Sequence, residues 1–346
     1  MTGSDAQGEQ ANPLGGAVIG YGGQFNMGRT HLSGMQDAGI VPTAVCDVDP
    51  ARAEAARVDF PDIRTYTRVE DLLADSGVNL VAIITPHNTH APLAIQALNA
   101  GKHVITEKPM CLTAQEATEM IAAAKQNGRM LSTYHNRRHD GDFLVLKEAI
   151  VEKGLIGDVF SIQAGQAGYK HPGHWWRSDK SVSGGAFYDW GAHFIDWILN
   201  LMPGQTVRSV TGFAHKRVWH DVTVEDHVQA VLRFSGGAHA DLSFSNISSL
   251  PLPRWRIQGT RGGILDDGSV SGGMKFFTRL DNLPVTGELR SKPTDWDRYY
   301  RDIAAHLYHG APLDVTPEQA RRVIAVLEAA NRSAESGQSE PVPYED

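Results

Sequence analysis

Asp189 and His193 stand four residues apart in the stretch GGAFYDWGAHFIDWILNL, residues 184–201, and Asp196 and Asn200 continue the line. The stretch reads as one helix. At about 100° per residue these four polar groups share one stripe. Trp190, Phe194, Trp197 and Leu201 flank it on one side, and Ala192, Ile195 and Leu199 on the other. An ordinary solvated helix face is broad and rich in Lys and Glu. This one has neither, so the stripe is either a satisfied buried network or the lining of a cleft. An imidazole with an ordinary pKa of about 6.5 is largely uncharged at neutral pH and can accept the proton of an alcohol. A carboxylate one turn earlier can hold a substrate hydroxyl or tune the imidazole. The bland alternative is a core histidine satisfied by Asp189.

Two apolar strands end in further chemistry. LVAIIT (80–85) runs into Pro86, His87, Asn88, Thr89 and His90, and KHVIT (102–106) runs into Glu107, Lys108 and Pro109. An ammonium where a buried strand stops can polarise a substrate oxygen and favour its deprotonated form. The alternative is a Glu107–Lys108 surface pair beside a turn proline. Pro109 weakens that alternative, because it disfavours a helical conformation at Lys108. His90 either starts its helix or touches a cofactor.

AVIGYGGQFNMGRTHL places Gly20, Gly22 and Gly28 between a strand and a helix. The usual G-x-G-x-x-G spacing is stretched here by three residues. Such a turn lets backbone approach a pyrophosphate at a helix N-terminus. Asp47 ends the second strand, where a carboxylate hydrogen-bonds ribose hydroxyls and repels a 2′-phosphate. Val48 and Asp49 follow in place of Arg or Lys, so the expected cofactor is NAD rather than NADP. The other reading is a glycine-rich turn without a ligand.

The elements that must position these groups change character along the chain. From Gly15 to about Asn136, apolar strands (AVIG, PTAVCD, LVAIIT, KHVIT, MLSTY) alternate with helices, notably over 90–99 and 113–127. Continuous apolar strands between helices predict a doubly wound parallel sheet covered on both faces. Beyond a helix over 140–153, period-two segments with Gly-rich turns predict a second, large, open and mostly antiparallel sheet. TPEQARRVIAVLEAANRSAESG closes the chain as a helix with a Thr-Pro start and a Gly stop. The expected division is a disordered leader over 1–16, a Rossmann domain over 17–136, and an α+β substrate-binding and oligomerisation domain over 137–346.

Together ITEKPM, AIITPHNTHAPLAIQAL, CDVDPARA and GGAFYDWGAHFIDW resemble the glucose–fructose oxidoreductase / inositol dehydrogenase / MocA family of dinucleotide-dependent oxidoreductases, from about Ala17 to Ser336. The resemblance implies Lys108 as the catalytic lysine and Asp189 and His193 as the pair that binds substrate hydroxyls and takes the proton. It implies Asp47 as the ribose-binding acid and sheet-to-sheet association into a homodimer or homotetramer. The expected cofactor contacts are Gly20, Gly22, Gly23, Phe25, Asn26, Met27, Asp47, Thr85, Pro86, His90, Glu107 and Asn136.

GYKHPGHWWRSDKSVSGG (168–185) leads directly into the polar-striped helix. Trp175 and Trp176 can pack on the C–H surface of a sugar while Lys170, His174 and Arg177 satisfy its hydroxyls; alternatively the tryptophans anchor a loop. Arg137 and Arg138 are either near the cleft or in structural ion pairs. A net charge of −8, with 40 acidic and 32 basic groups, argues against a nucleic-acid partner. Cys46 and Cys111 form neither a disulfide framework nor a metal-type spacing. No apolar run approaches a membrane span. The first 16 residues lack a signal peptide's basic start and apolar middle, so a cytoplasmic protein is expected; no metal is expected either. The leading expectation is hydride transfer to NAD from a secondary hydroxyl of a sugar, sugar acid or cyclitol. An NAD-dependent glycosidase, working by transient oxidation, elimination, water addition and re-reduction, would use the same residues. A non-catalytic NAD-sensing regulator is the third reading.

Overall fold

The computed structural model of the chain describes residues 13–23 and 25–344. Most of the expected leader thus lies outside the described residues. Its last two residues, Gly15 and Gly16, do not belong to a leader: they open the first strand, two residues earlier than expected.

Six strands, β1 (Gly15–Ile19), β2 (Val41–Cys46), β3 (Arg64–Tyr66), β4 (Leu80–Ile83), β5 (His103–Thr106) and β6 (Leu131–Thr133), form the first sheet. Its order is β3-β2-β1-β4-β5-β6, and every pairing is parallel. The strand order reverses between β1 and β4, and ligands of such sheets bind in the crevice at that switch point. Helices α1 (Met27–Asp37), α2 (Pro50–Asp59), α3 (Val69–Ala74), α4 (His90–Asn99) and α5 (Ala114–Asn127) connect the strands. All four residues of β4 are fully buried, the mark of a strand covered on both faces. The α5 boundaries follow from local chemistry. Thr113 and Glu116 form a reciprocal capping box, and Gly128 stops the helix with a left-handed φ of 59°.

The helical segment over 140–153 is α6 (Gly141–Lys147) followed by a wider turn over 148–152. Next come β7 (Val159–Ala167), α7 (Lys180–Ser183), α8 (Phe187–Leu201), β8 (Val207–His215), β9 (His227–Phe234), β10 (His239–Ser245), β11 (Trp255–Gly259), β12 (Gly262–Asp266), β13 (Gly273–Leu280) and β14 (Leu283–Arg290). The chain ends with α9 (Arg298–His309), α10 (Pro317–Ser336) and β15 (Glu340–Pro341). The second sheet has nine strands in the order β14-β13-β12-β11-β7-β10-β9-β8-β15. All its pairings are antiparallel except β7 with β10. The expected fold class, a parallel Rossmann sheet plus an open and mostly antiparallel one, is the observed one. α8 and α10 cover one face, with Phe194, Trp197, Leu327 and Ala330 in the same core as Val210, Leu232, Leu242 and Trp255.

The sequence reading contains neither the short β3 nor α3, and two further details depart from it. The helix around Asp189 starts at Phe187, because Gly184 and Gly185 hold φ of 87° and 105°, which a right-handed helix cannot contain. α9 was not anticipated, since its DRYYRD start is polar and lacks a side-chain cap. It buries Tyr299, Tyr300, Ile303 and Ala304 against the first sheet's core, with Tyr300 beside Gly34 of α1.

Candidate active site

The phosphate-type turn joins β1 to α1. A Cβ on Gly20, whose φ is 96°, would strike the Ile84 carbonyl oxygen, so only glycine lets β1 and β4 approach here. Gly23, at φ 73°, has open space where its Cβ would be. Asn26 is left-handed at φ 46°, and α1 begins at Met27 with neither a side-chain cap nor an acidic residue in its first turn. An uncapped helix N-terminus beside bare backbone suits a phosphate, and in this respect the residues fit a dinucleotide. Asp47 is 7% exposed and accepts hydrogen bonds from the backbone N–H groups of Tyr21 (2.8 Å) and Asp49 (2.9 Å). Phe25 reaches away from the turn and meets Trp175 edge-on at 5.7 Å.

At the other strand ends the residues divide. Thr85 and Pro86 follow β4 at the crevice, and the Thr85 hydroxyl accepts from Thr89 at 2.7 Å. His90 is fully buried. Its two ring nitrogens lie 2.8 Å from the Pro109 carbonyl oxygen and 2.9 Å from that of Thr85. Both nitrogens are committed to the protein, so the expected cofactor contact at His90 is corrected to a structural one. Glu107 does not form a surface pair with Lys108. One of its oxygens lies 3.0 Å from His31 Nε2, and the other accepts the Lys108 backbone N–H at 3.0 Å. Burial favours the neutral acid, but His31 and Lys108 outweigh it and hold Glu107 below the usual carboxylate range. Asn136, 8% exposed, opens the turn after β6.

Lys108 and Asp189 meet although 81 residues separate them. Lys108 Nζ donates to Asp189 Oδ1 and to the Asp189 carbonyl oxygen, both at 3.0 Å. Arg177 donates to the same Oδ1 at 2.6 Å, and its guanidinium lies over Trp175 and Trp176, 5.1 Å from each ring centre. Burial pushes the Asp189 carboxyl up, but the two cations prevail and hold it at about 2.

His193 is 5% exposed, and no hydrogen bond to its ring occurs among the described residues. The core histidine satisfied by Asp189 is therefore not what forms, nor does Asp189 touch the imidazole to tune it. Burial, then Lys108, Arg137, His135 and Arg177, hold His193 well below its ordinary pKa. The rest of the stripe turns away from any cleft. Asp196 accepts a bidentate pair from Arg138, at 2.9 and 2.6 Å, with both side chains almost wholly buried. Asn200 donates to the Asp196 carbonyl oxygen. Arg137 pairs with Asp140 at 3.0 Å and lies over Trp190. One stripe thus holds both of the possibilities its pattern left open.

A cavity of about 360 Å³ opens beside Asp189. Trp175, Arg177 and Asp189 line it. Trp176 does not, and packs edge-on against His87 at 4.7 Å. Lys170 is exposed and outside it, so Lys170 is not brought to the site. Lys108 and His193 do not line it either. His87, Gln166, Glu225 and Asn246 do, and the sequence reading gives a role to none of the four. His87 had a signal, since it stands at the end of β4. The others come from β7 and from loops flanking β9 and β10, and nothing local marks them.

Four buried histidines and the half-buried His103 give a pH prediction. Burial, the largest cause at each, holds His87, His90, His103, His135 and His193 below 6.5, His103 and His135 at about 4. The unfolded chain protonates them near 6.5, so below that pH it binds more protons than the folded chain. Stability is then full above about 6.5 and falls as pH drops toward 4. Asp189, Asp196 and Glu107 add their loss only below the ordinary carboxylate range. Melting temperature should fall between pH 7 and pH 5; a flat profile over that interval would contradict the assignment.

With the geometry in place, comparison with known proteins gives concordant findings. The profile described as an oxidoreductase family with an NAD-binding Rossmann fold, GFO/IDH/MocA, matches residues 14–135, and the GFO/IDH/MocA C-terminal domain matches residues 144–265. An uncharacterized oxidoreductase of Schizosaccharomyces pombe is 34% identical, covering 83% of this chain and 87% of that protein. The scyllo-inositol 2-dehydrogenase (NADP(+)) IolW of Bacillus subtilis is 31% identical, covering 82% of this chain and 84% of its own. The crystal structure of an NAD-binding protein from Listeria innocua superimposes with a TM-score of 0.82 at 29% identity, covering 95% of this chain and 97% of that one.

Proposed function

Because the chain belongs to the GFO/IDH/MocA family of oxidoreductases, we propose that it oxidises a secondary hydroxyl of a sugar, sugar acid or cyclitol, with NAD as partner. The observation that carries this reading is the Lys108–Asp189 contact at 3.0 Å, which joins the rim of the first sheet to α8 of the second half. In this reading the dinucleotide domain is the expected 17–136 extended by Gly15 and Gly16 of β1, and residues 137–346 form the substrate domain.

When bound, the dinucleotide supplies the acceptor for the hydrogen and electron pair leaving the carbinol carbon. The phosphate turn from Gly20 to Met27, with Thr85, Pro86 and Asn136 at the crevice, would hold it. The chain's own residues do the rest. An ammonium has three N–H donors, and Asp189 takes two from Lys108. The third is left for a substrate oxygen, where the positive charge favours the alkoxide. His193, uncharged and without a hydrogen-bond partner among the described residues, accepts the hydroxyl proton. Asp189 stays ionised and accepts from a neighbouring hydroxyl. Arg177 donates from the cavity wall, and Trp175 offers a face to sugar C–H groups.

A panel of polyols, cyclitols and sugar acids, followed by the absorbance of reduced nicotinamide, tests the reading. Stoichiometric reduced cofactor with some member is expected. Aglycone release from a glycoside without net cofactor reduction would replace it with the redox-neutral cleavage.

The preference for NAD rests on Asp47. Two backbone amides pin its carboxylate, so it cannot swing away from a 2′-phosphate. Asp47→Ala should shift the ratio of kcat/KM for NAD over NADP about ten- to a hundredfold toward NADP. The NADP(+) named for the Bacillus subtilis relative makes the comparison informative. An unchanged ratio would remove Asp47 from the ribose site. The uncovered face of the second sheet, which exposes Phe213 and Phe277, is our candidate contact for a homodimer or homotetramer. Light scattering should return two or four chains, and a monomer at working concentration would reject the assembly.

A further inference from the structure

Away from the candidate active site, one imidazole and two carboxylates converge where three segments meet. His139 ends the turn after β6, Asp302 lies on α9, and Asp314 precedes α10. His139 Nε2 is 3.7 Å from Asp314 Oδ2 and 4.0 Å from Asp302 Oδ2, too far for hydrogen bonds. Nevertheless the His139 side chain is only 6% exposed, and its Nε2 is closed to solvent with no hydrogen-bond partner among the described residues. A buried ring nitrogen that faces two carboxylates across such a gap is costly unless something fills the gap. The three ligand atoms lie within 4.8 Å of one another. A point equidistant from atoms so spaced lies roughly 2.1–2.5 Å from each, the range of metal bonds to imidazole nitrogen and carboxylate oxygen.

We propose that His139, Asp302 and Asp314 bind one divalent cation of the zinc or manganese class, with water completing its shell. One neutral nitrogen and two anionic oxygens suit such an ion and balance its charge. The carboxylate side chains are 31% and 42% exposed, which leaves a way in. Arg298 Nε stands 3.7 Å from Asp302 Oδ2, but its side chain is 57% exposed and can move into solvent. Arg138 fixes the segment by donating to the Asp314 carbonyl oxygen at 2.6 Å. The ion would tie the turn that begins at Asn136 to α9, and α9 packs on α1 behind the phosphate turn. It therefore stiffens that corner without touching substrate. A second trio, His171, His174 and Asp221, does not qualify. His171 Nδ1 accepts the Gly173 N–H at 2.9 Å, so the ring proton sits on Nε2 and is given to Asp221 at 3.1 Å.

The test is calorimetric titration of chelator-treated full-length protein with Zn²⁺ and, separately, Mn²⁺ at neutral pH, with melting temperature as a second readout. One ion per chain and a rise of a few degrees are expected. Asp314→Asn and Asp302→Asn should each weaken binding at least about tenfold, and His171→Ala should leave it unchanged. His139→Ala could disturb folding, whereas Asp314→Asn alters a half-exposed side chain and keeps the question answerable. Absence of saturable binding up to about 1 mM of either ion, or binding that survives Asp314→Asn, would overturn the proposal.

Discussion

Lys108→Met should lower kcat/KM about a hundred- to a thousandfold, the usual cost of removing one preorganised donor from a developing oxyanion. Methionine keeps the length and apolar stem, so the loss reports the ammonium. Two consequences separate this role from a merely structural one. Losing Lys108 removes the stronger of the two cations that hold Asp189 at about 2, so the Asp189 carboxyl should rise and the acid limb of the pH–rate profile should move upward. Lys108 is also among the charges that depress His193, so that imidazole should protonate more readily in the variant. His193→Ala should itself cost about a hundred- to ten-thousandfold, mostly in kcat. Retained turnover in both variants would eliminate the assigned roles, whatever the substrate.

Arg138→Met should destabilise the chain by about 3–5 kcal/mol, read by denaturant unfolding. Arg138 holds Asp196 with two hydrogen bonds, the Asp314 carbonyl oxygen at 2.6 Å and Gln319 Oε1 at 3.0 Å. Its removal leaves the Asp196 carboxylate buried and unpaired, with His135 Nδ1 4.0 Å away. Burial then dominates, so the carboxyl should take up a proton at higher pH than an ordinary aspartate. The double variant Arg138→Met with Asp196→Leu should recover much of the loss, because the unpaired charge rather than the missing bridge is the main cost. A single variant as stable as the parent would mean that Asp196 finds another partner.

Some of the site was readable because strand ends are special places. A buried parallel strand delivers whatever follows it to the sheet's carboxyl edge, so Lys108 and Thr85 could be placed from apolar runs alone. The phosphate turn was readable for the same reason, with Asp47 ending the neighbouring strand. His90 misled, since the same edge also needs groups that fix its turns, and both His90 nitrogens do that work. The α8 stripe misled by half. Helical periodicity puts Asp189, His193, Asp196 and Asn200 on one line but does not say what faces each turn. Arg138, from the turn after β6, meets the lower end, and Lys108 and Arg177 meet the upper.

By itself the sequence determined the alternation of elements, the parallel first sheet, the glycine turn, and which side chains stand at strand ends, because these follow from local periodicity and backbone freedom. The tertiary structure alone decided that Lys108 and Arg177 share one oxygen of Asp189, that His193 is left without a hydrogen-bond partner among the described residues, and that α9 returns to the first sheet. Those outcomes depend on packing between segments far apart in the chain, where burial and neighbouring charge are set by elements that no local window contains.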